Sequence, residues 1–343
     1  MQRVSYRALY EALLRALLKL GFRQDRAELC ARLFAETSRD GVYSHGLNRF
    51  PRFVEMIRGG VIDIDAEPVC VGRFGALERW DGRQGPGNLN AYACMDRALT
   101  LAQSHGLGCV ALRNTNHWMR GGSYGWQAAE AGAVGLCWTN TMPNLPPWGA
   151  RECKVGNNPV IIAVPRPEGP VVLDMAMSQF SYGALAGYRR RGQPLPVDGG
   201  FDEEGHLTRD PAAIEASGRP LPVGYWKGSG LALVLDVVAA LLSGGLATHQ
   251  ITPEPLRETA LSQVFIAIHL AAFDDEDATA RTVNGVLDFV HNAAPAHEGG
   301  TVYYPGERTL ATRKANLENG IPVEPSIWQE VLAMGGEGEK TAR

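Results

Sequence analysis

The run Gly106-Leu107-Gly108-Cys109-Val110-Ala111 has the Gly-x-Gly-x-x-Ala spacing of a dinucleotide fingerprint, and its surroundings decide the fold. In a doubly wound nucleotide-binding unit those glycines follow a strand and open a helix, so that the helix N-terminus faces a pyrophosphate. Here the order is reversed. Apolar spacing over 88–105 predicts a helix, Gly106 suits its left-handed C-cap, and 108–112 reads as an apolar strand. The fingerprint is therefore rejected, and any nucleotide site must be built by other means.

Outward from that point, helices and strands alternate. Helices are expected over a first segment ended by Gly21, from an Asp25 cap to Ser38, in a third segment up to Arg58 closed by Gly59-Gly60, and at 123–131, 230–242, 278–292 and 309–319. Strands are expected at 68–74, 77–80, 134–138, 159–164, 171–175 and 264–270. Such alternation favours a layered α/β fold. The stretch 193–225, rich in Pro, Gly and Asp, reads as one long irregular excursion, either a flap over a site or a plain surface loop.

Composition narrows the function classes. The 33 Lys+Arg against 37 Asp+Glu leave a net charge of -4, which argues against a nucleic-acid surface. Arg7, Glu11, Arg15 and Lys19 interrupt the first apolar segment, so it reads as an amphipathic helix and not a signal sequence. The apolar run 231–242 is broken by Asp236 and falls short of the ~20 residues of a membrane span, so a cytoplasmic protein with no membrane partner is expected. Six scattered cysteines without a Cys-x-x-Cys pair read as buried free thiols. No histidine or carboxylate spacing suggests a metal site.

Four places carry chemistry. His45, in a Gly-flanked loop with Arg49 four residues on, fits acid–base work on a 2-oxo acid: the guanidinium grips the carboxylate while the imidazole protonates the carbonyl oxygen. A capping histidine beside a surface arginine is the competing reading. His117, after the 108–112 strand, is a second polar group at a site or a histidine bonded to backbone. Asp174 ends the 171–175 strand, where it either accepts from ribose hydroxyls or caps a turn. Trp226-Lys227-Gly228-Ser229-Gly230 ahead of an apolar helix suits an anion, with Ser229 as cap and Lys227 as charge, although an ordinary cap beside a solvated lysine has the same pattern. Asp40 and Glu36 are candidates for the group that orients His45.

Ser44-His45-Gly46-Leu47-Asn48-Arg49, Asn116-His117-Trp118-Met119-Arg120-Gly121-Gly122, Gly156-Asn157-Asn158-Pro159, Asp174-Met175-Ala176-Met177-Ser178 and Lys227-Gly228-Ser229-Gly230-Leu231 together resemble the malate/L-lactate dehydrogenase family, which is unrelated to the Rossmann-type enzymes of similar name. The resemblance spans roughly residues 1–333. Pro147-Trp148-Gly149-Ala150 and Gly224-Tyr225-Trp226-Lys227 are further similar to a branch that reduces a 2,3-diketo sugar acid. The resemblance implies a three-layer α/β/α fold with a mixed sheet and non-Rossmann NAD binding. It implies one catalytic unit over 1–333, with a helical segment at 1–60, a sheet core at 61–333 and a flexible tail at 334–343.

It also implies a homodimer that takes a hydride from NADH, or from NADPH, to the C2 carbonyl of a small 2-oxo acid. His45 would then be the proton donor, Arg49 the carboxylate clamp and His117 an orienting group. Cofactor contacts are implied at Pro170, Val171, Val172, Leu173, Asp174, Met175 and Ala176, at Trp226 and Lys227, and at Pro305, Gly306 and Glu307. Rival readings are another family reductase, for an α-keto acid or a cyclic imine acid, differing around Trp118, Trp126 and Trp148, and a non-catalytic NAD-binding subunit.

Overall fold

The structure is a computed structural model that describes residues 2–271 and 276–336. Strand β1 (Gln2–Val4) leads into helices α1 (Tyr6–Lys19) and α2 (Gln24–Arg39), and a 3-10 turn (Leu47–Arg49) precedes α3 (Phe50–Arg58). The hairpin β2 (Val69–Phe74) and β3 (Leu77–Asp81) is followed by α4 (Gly87–His105), β4 (Leu107–Thr115), α5 (Gly122–Glu130), β5 (Ala133–Thr139), β6 (Val160–Val164) and β7 (Val171–Met175). Next come α6 (Tyr182–Arg190), a small hairpin β8 (Gly200–Phe201) and β9 (Leu207–Thr208), α7 (Pro211–Ser217) and the long α8 (Trp226–Ser243). The described chain closes with β10 (Leu261–His269), α9 (Glu276–His291), α10 (Glu307–Asn319), β11 (Ile321–Val323) and α11 (Pro325–Met334).

Seven strands form one mixed sheet in the order β2-β3-β4-β10-β5-β6-β7. Only β3 and β4 pair in parallel; the other neighbours are antiparallel. Strand side chains alternate between faces, and the two faces sort accordingly. Val110 and Leu112 of β4 join Phe265 and Ala267 of β10 against α4 and α5. Cys109, Ala111 and Val264 point the other way, toward Ala239 of α8. The result is the expected α/β/α layering, each large buried side chain contributing roughly 1.5–3 kcal/mol.

The rejected fingerprint is explained by packing. Gly106 is the C-cap of α4 with φ 79°, its N–H donating to the Ala102 carbonyl. At Gly108 an added Cβ would lie 2.1 Å from the Ala98 carbonyl oxygen, so the glycine lets α4 rest directly on β4.

A second core gathers α1, α2 and α3 around Leu13, Phe34, Phe50 and Phe53, and the chain's late elements complete it through Ile321, Val323, Trp328 and Val331. β1 and β11 pair antiparallel alongside. The helical part is therefore assembled from both ends of the chain.

Some boundaries differ from expectation. Asp25 is not a cap: α2 starts at Gln24, and Asp25 sits in its first turn, hydrogen-bonded to Arg23. α8 starts at Trp226 instead of Gly230, because Tyr225, at φ 60°, turns the chain into the helix earlier. Ser229 is then inside the first turn, and its hydroxyl accepts from the Trp148 N–H instead of capping. The stretch 193–225 contains β8, β9 and α7, held by Leu185, Leu195 and Ile214; two-residue strands carry no readable period. α8 is longer than the apolar run suggested, and by length and composition alone it would cross a membrane. Asp236 at its middle is stitched into the protein, accepting from Asn140 Nδ2 and from the Thr248 N–H. All six cysteines are free, but only Cys30, Cys94, Cys109 and Cys137 are buried; Cys70 and Cys153 are half-buried. Of the expected tail, residues 337–343 lie outside the described residues.

Candidate active site

Antiparallel pairing through β10 and β6 makes β4, β5 and β7 run the same way, so their C-terminal ends share one sheet edge with the starts of β6 and β10. Along this edge lies a cleft of about 670 Å³. That volume falls within the roughly 300–1,000 Å³ of small-molecule and cofactor sites.

One wall comes from the loop after α2. Gly46 packs so close to Ser38 that a Cβ would meet Ser38 Oγ at 2.2 Å, and Ser38 Oγ accepts from the Leu47 N–H at 2.8 Å. This tight turn sets His45 into the cleft. Ser44 Oγ lies 2.9 Å from His45 Nδ1; with Ser44 donating, the neutral ring carries its proton on Nε2. Neither Asp40 nor Glu36 orients the ring. The Asp40 carboxylate, fully buried, accepts from Arg39, Arg120 and Arg313, and Glu36 faces Arg32 and Arg39.

The loop after β4 supplies the partner ring. His117 stacks on His45 with centroids 5.8 Å apart and 21° between planes. Its Nδ1 accepts from the Met119 N–H at 3.0 Å, so its Nε2 also carries a proton. Burial, then the Arg49 and Arg120 charges, hold His45 down to about 4. Burial, Arg49, His45 and Arg52 push His117 well below its ordinary value. Both rings are therefore neutral near pH 7. Arg49 is not on the cleft wall itself. Among the described residues its guanidinium has no hydrogen bond or ion pair, and burial with Arg52 nearby lowers it to about 10, still cationic.

Asp174 stands at the end of β7, where its Oδ2 accepts from the Gly122 N–H at 2.9 Å at the start of α5. It thus caps a helix contributed by another part of the chain. Gly121 and Gly122 are required here: a Cβ on the first would meet Ile161 at 2.4 Å, and on the second Asp174 itself at 2.6 Å. The enclosing protein raises the Asp174 carboxyl, with Arg120 and the Gly122 N–H opposing.

Of the residues expected to hold a cofactor, Val172, Leu173, Asp174, Ala176, Pro305 and Gly306 line the cleft. Pro170 lines a neighbouring cavity. Val171 and Met175 do not line the cleft, and Glu307 turns its carboxylate back to accept from the Tyr304 N–H. The turn before α10 is locked to β7, because the Val172 N–H donates to the Pro305 carbonyl and a Cβ on Gly306 would come within 2.9 Å of Val172 N. Gly306, Arg308 and Thr309 place the start of α10 at the cleft wall.

The structure does not bring Trp226 and Lys227 to this cleft: they open α8, whose body packs on the opposite face of the sheet from α4 and α5, and Trp226 is exposed. Trp118 and Trp126 line the cleft, whereas Trp148 packs on Tyr225. Ser44, Arg120, Thr141, Asn157, Tyr303, Tyr304 and Arg308 line it without having been singled out; Ser44, Arg120 and Asn157 lay in quoted motifs, while Tyr303-Tyr304 carried no local signal. Among the described residues no group of three His, Cys, Asp or Glu is placed to hold a metal.

Residues 4–332 match the malate/L-lactate dehydrogenase family profile. The chain is 48% identical over 333 residues to the 2,3-diketo-L-gulonate reductase of Citrobacter koseri, covering 97% of this chain and all of that protein. Among solved structures, sulfolactate dehydrogenase from Methanocaldococcus jannaschii superposes with a TM-score of 0.89 at 28% identity, covering 98% of this chain and 97% of that one. Δ1-piperideine-2-carboxylate reductase from Pseudomonas syringae pv. tomato gives 0.85 at 28% identity, covering 97% of this chain and 100% of that one.

Proposed function

From the premise that the chain belongs to the malate/L-lactate dehydrogenase family and is an oxidoreductase, we propose that it reduces the C2 carbonyl of 2,3-diketo-L-gulonate to 3-dehydro-L-gulonate with NADH. The observation that carries this reading is the pair of stacked imidazoles, His45 and His117, in a cleft backed by the Arg49 guanidinium, which among the described residues has no hydrogen bond or ion pair. The α10 N-terminus, Gly306 and Arg308 fit a dinucleotide pyrophosphate, and β7 from Val172 to Asp174 fits the chain beyond it. NADH, when bound, supplies the hydride.

The protein's part is binding and proton transfer. Arg49 holds the substrate carboxylate and His117 Nε2–H orients a carbonyl or hydroxyl oxygen. Burial is the main cause that depresses His45 and the Arg49 charge the next, so a carboxylate at Arg49 relieves part of the depression and favours the protonated ring that donates to the developing alkoxide.

We further propose a cytoplasmic homodimer in which residues 1–333 act as one catalytic unit. Six unpaired thiols fit a reducing compartment. Leu231, Val234, Val237 and Leu241 expose an apolar stripe along α8, which fits a second copy of the chain.

The test is NADH and NADPH oxidation with a panel of 2,3-diketo-L-gulonate, pyruvate, oxaloacetate and a cyclic imine acid. Fastest turnover of the diketo sugar acid with NADH is expected. Preference for another member overturns the substrate, and cofactor binding with no turnover on any of them overturns the catalytic reading.

A further inference from the structure

Around the 3-10 turn Pro255–Arg257 the protein keeps several buried polar groups without partners among the described residues. Glu258 follows the 3-10 turn Pro255–Arg257 and is only 5% exposed. Its Oε1 accepts from the Met142 N–H at 3.1 Å, and among the described residues its other oxygen has no hydrogen bond and neither oxygen has an ion pair. Arg52 donates to the Pro255 carbonyl, which fastens this turn to α3, yet its Nε is buried without a partner. Thr259 Oγ1, the next residue, is likewise unpartnered. Ala260 then takes a left-handed φ of 59°, a conformation that non-glycine residues rarely adopt.

The cluster adjoins the cleft from two sides: Thr141, just before Met142, and Leu261, three residues after Glu258, both line it. Burial raises the Glu258 carboxyl, while the Met142 N–H and then the charges of Arg49 and Arg52, which also reach His117, oppose it in favour of the ionised form. Buried polar groups are normally satisfied, and a concentration of exceptions marks a place where something polar binds.

The chemistry of the unsatisfied groups defines the ligand. The guanidiniums only donate, so they call for a carboxylate; an ionised Glu258 only accepts, so it calls for hydroxyl donors. We propose that Glu258 is a specificity-determining residue that accepts hydrogen bonds from the hydroxyl groups of a polyhydroxylated 2-oxo acid whose carboxylate is held by Arg49 and Arg52. A short acid such as pyruvate satisfies the guanidiniums and leaves Glu258 unpaired, which is how such sites reject the smaller analogue. This rests on the function proposed above and adds which part of the substrate is read and by which group.

The experiment compares wild type with Glu258→Gln and Glu258→Asp on 2,3-diketo-L-gulonate and on pyruvate, with NADH binding by fluorescence as the check that each variant is folded. Glu258→Gln keeps an oxygen for the Met142 N–H but loses the charge. We expect its kcat/KM for the sugar acid to fall about 10- to 100-fold, mostly through KM, with kcat/KM for pyruvate equal or higher and NADH binding unchanged. Glu258→Asp, shorter by one methylene, should lie between. Equal losses on both substrates, or no loss on either, overturn the proposal and leave the function intact. A wild type that reduces pyruvate but no hydroxylated acid overturns both.

Discussion

His45, the proposed proton donor, stands in surroundings that remove its charge. Replacing His45 by Ala should lower kcat by about 10²–10⁴ and leave NADH affinity alone; steady-state kinetics with fluorescence titration check this, and an unchanged kcat removes His45 as the acid. The same depression has a stability consequence with a definite sign. Above the ordinary value of 6.5 the ring is neutral in folded and unfolded chains alike; between 6.5 and about 4 only the unfolded chain takes the proton, so stability falls with pH across that window. Melting curves from pH 7 to 4 should therefore drop less steeply for His45→Gln than for wild type. His45, Arg49 and His117 were legible because each stands in a short motif with its own loop chemistry. Glu258 was not, since its bonded partner Met142 is 116 positions away and nothing local marks it.

Between elements, the connecting piece is Asp40, where α2, the loop carrying Arg120 and the α10 residue Arg313 meet on one carboxylate. The three guanidiniums hold Asp40 at about 2, so its contribution is complete above 3.8 and is lost only as pH falls through that lower value. Asp40→Asn would leave buried guanidiniums uncompensated and should cost about 3–5 kcal/mol in urea unfolding. A cost below about 1 kcal/mol would mean that the arginines repair themselves with Glu36 and Glu130. The strands and long helices were readable from period and caps. The start of α8 was not, because the left-handed Tyr225 that sets it has no sequence signature of its own. α7 had the Asp210-Pro211 signature of a helix start, which the surrounding Pro-Gly-Asp bias obscured.

For the whole molecule, the layered class was evident but the strand order was not: β10 reaches the sheet centre by pairing Leu261 with Thr115, across a separation that leaves no trace in local pattern. The α8 stripe gives the prediction at this scale. Sedimentation should show twice the 37.1 kDa chain mass for wild type, and Val234→Asp with Leu241→Asp should yield a single-chain species. A wild type that sediments as one chain at micromolar concentration rejects the homodimer. The pairing of β1 with β11 has a different consequence, which concerns synthesis. The loop bearing His45 leaves the ribosome early, but Arg313, Asn316 and Trp328, which brace the helices around it, are made some 270 residues later. The nascent chain must therefore wait with its N-terminal helices unfinished, a window in which they invite chaperone binding, and the competent loop is among the last parts to set.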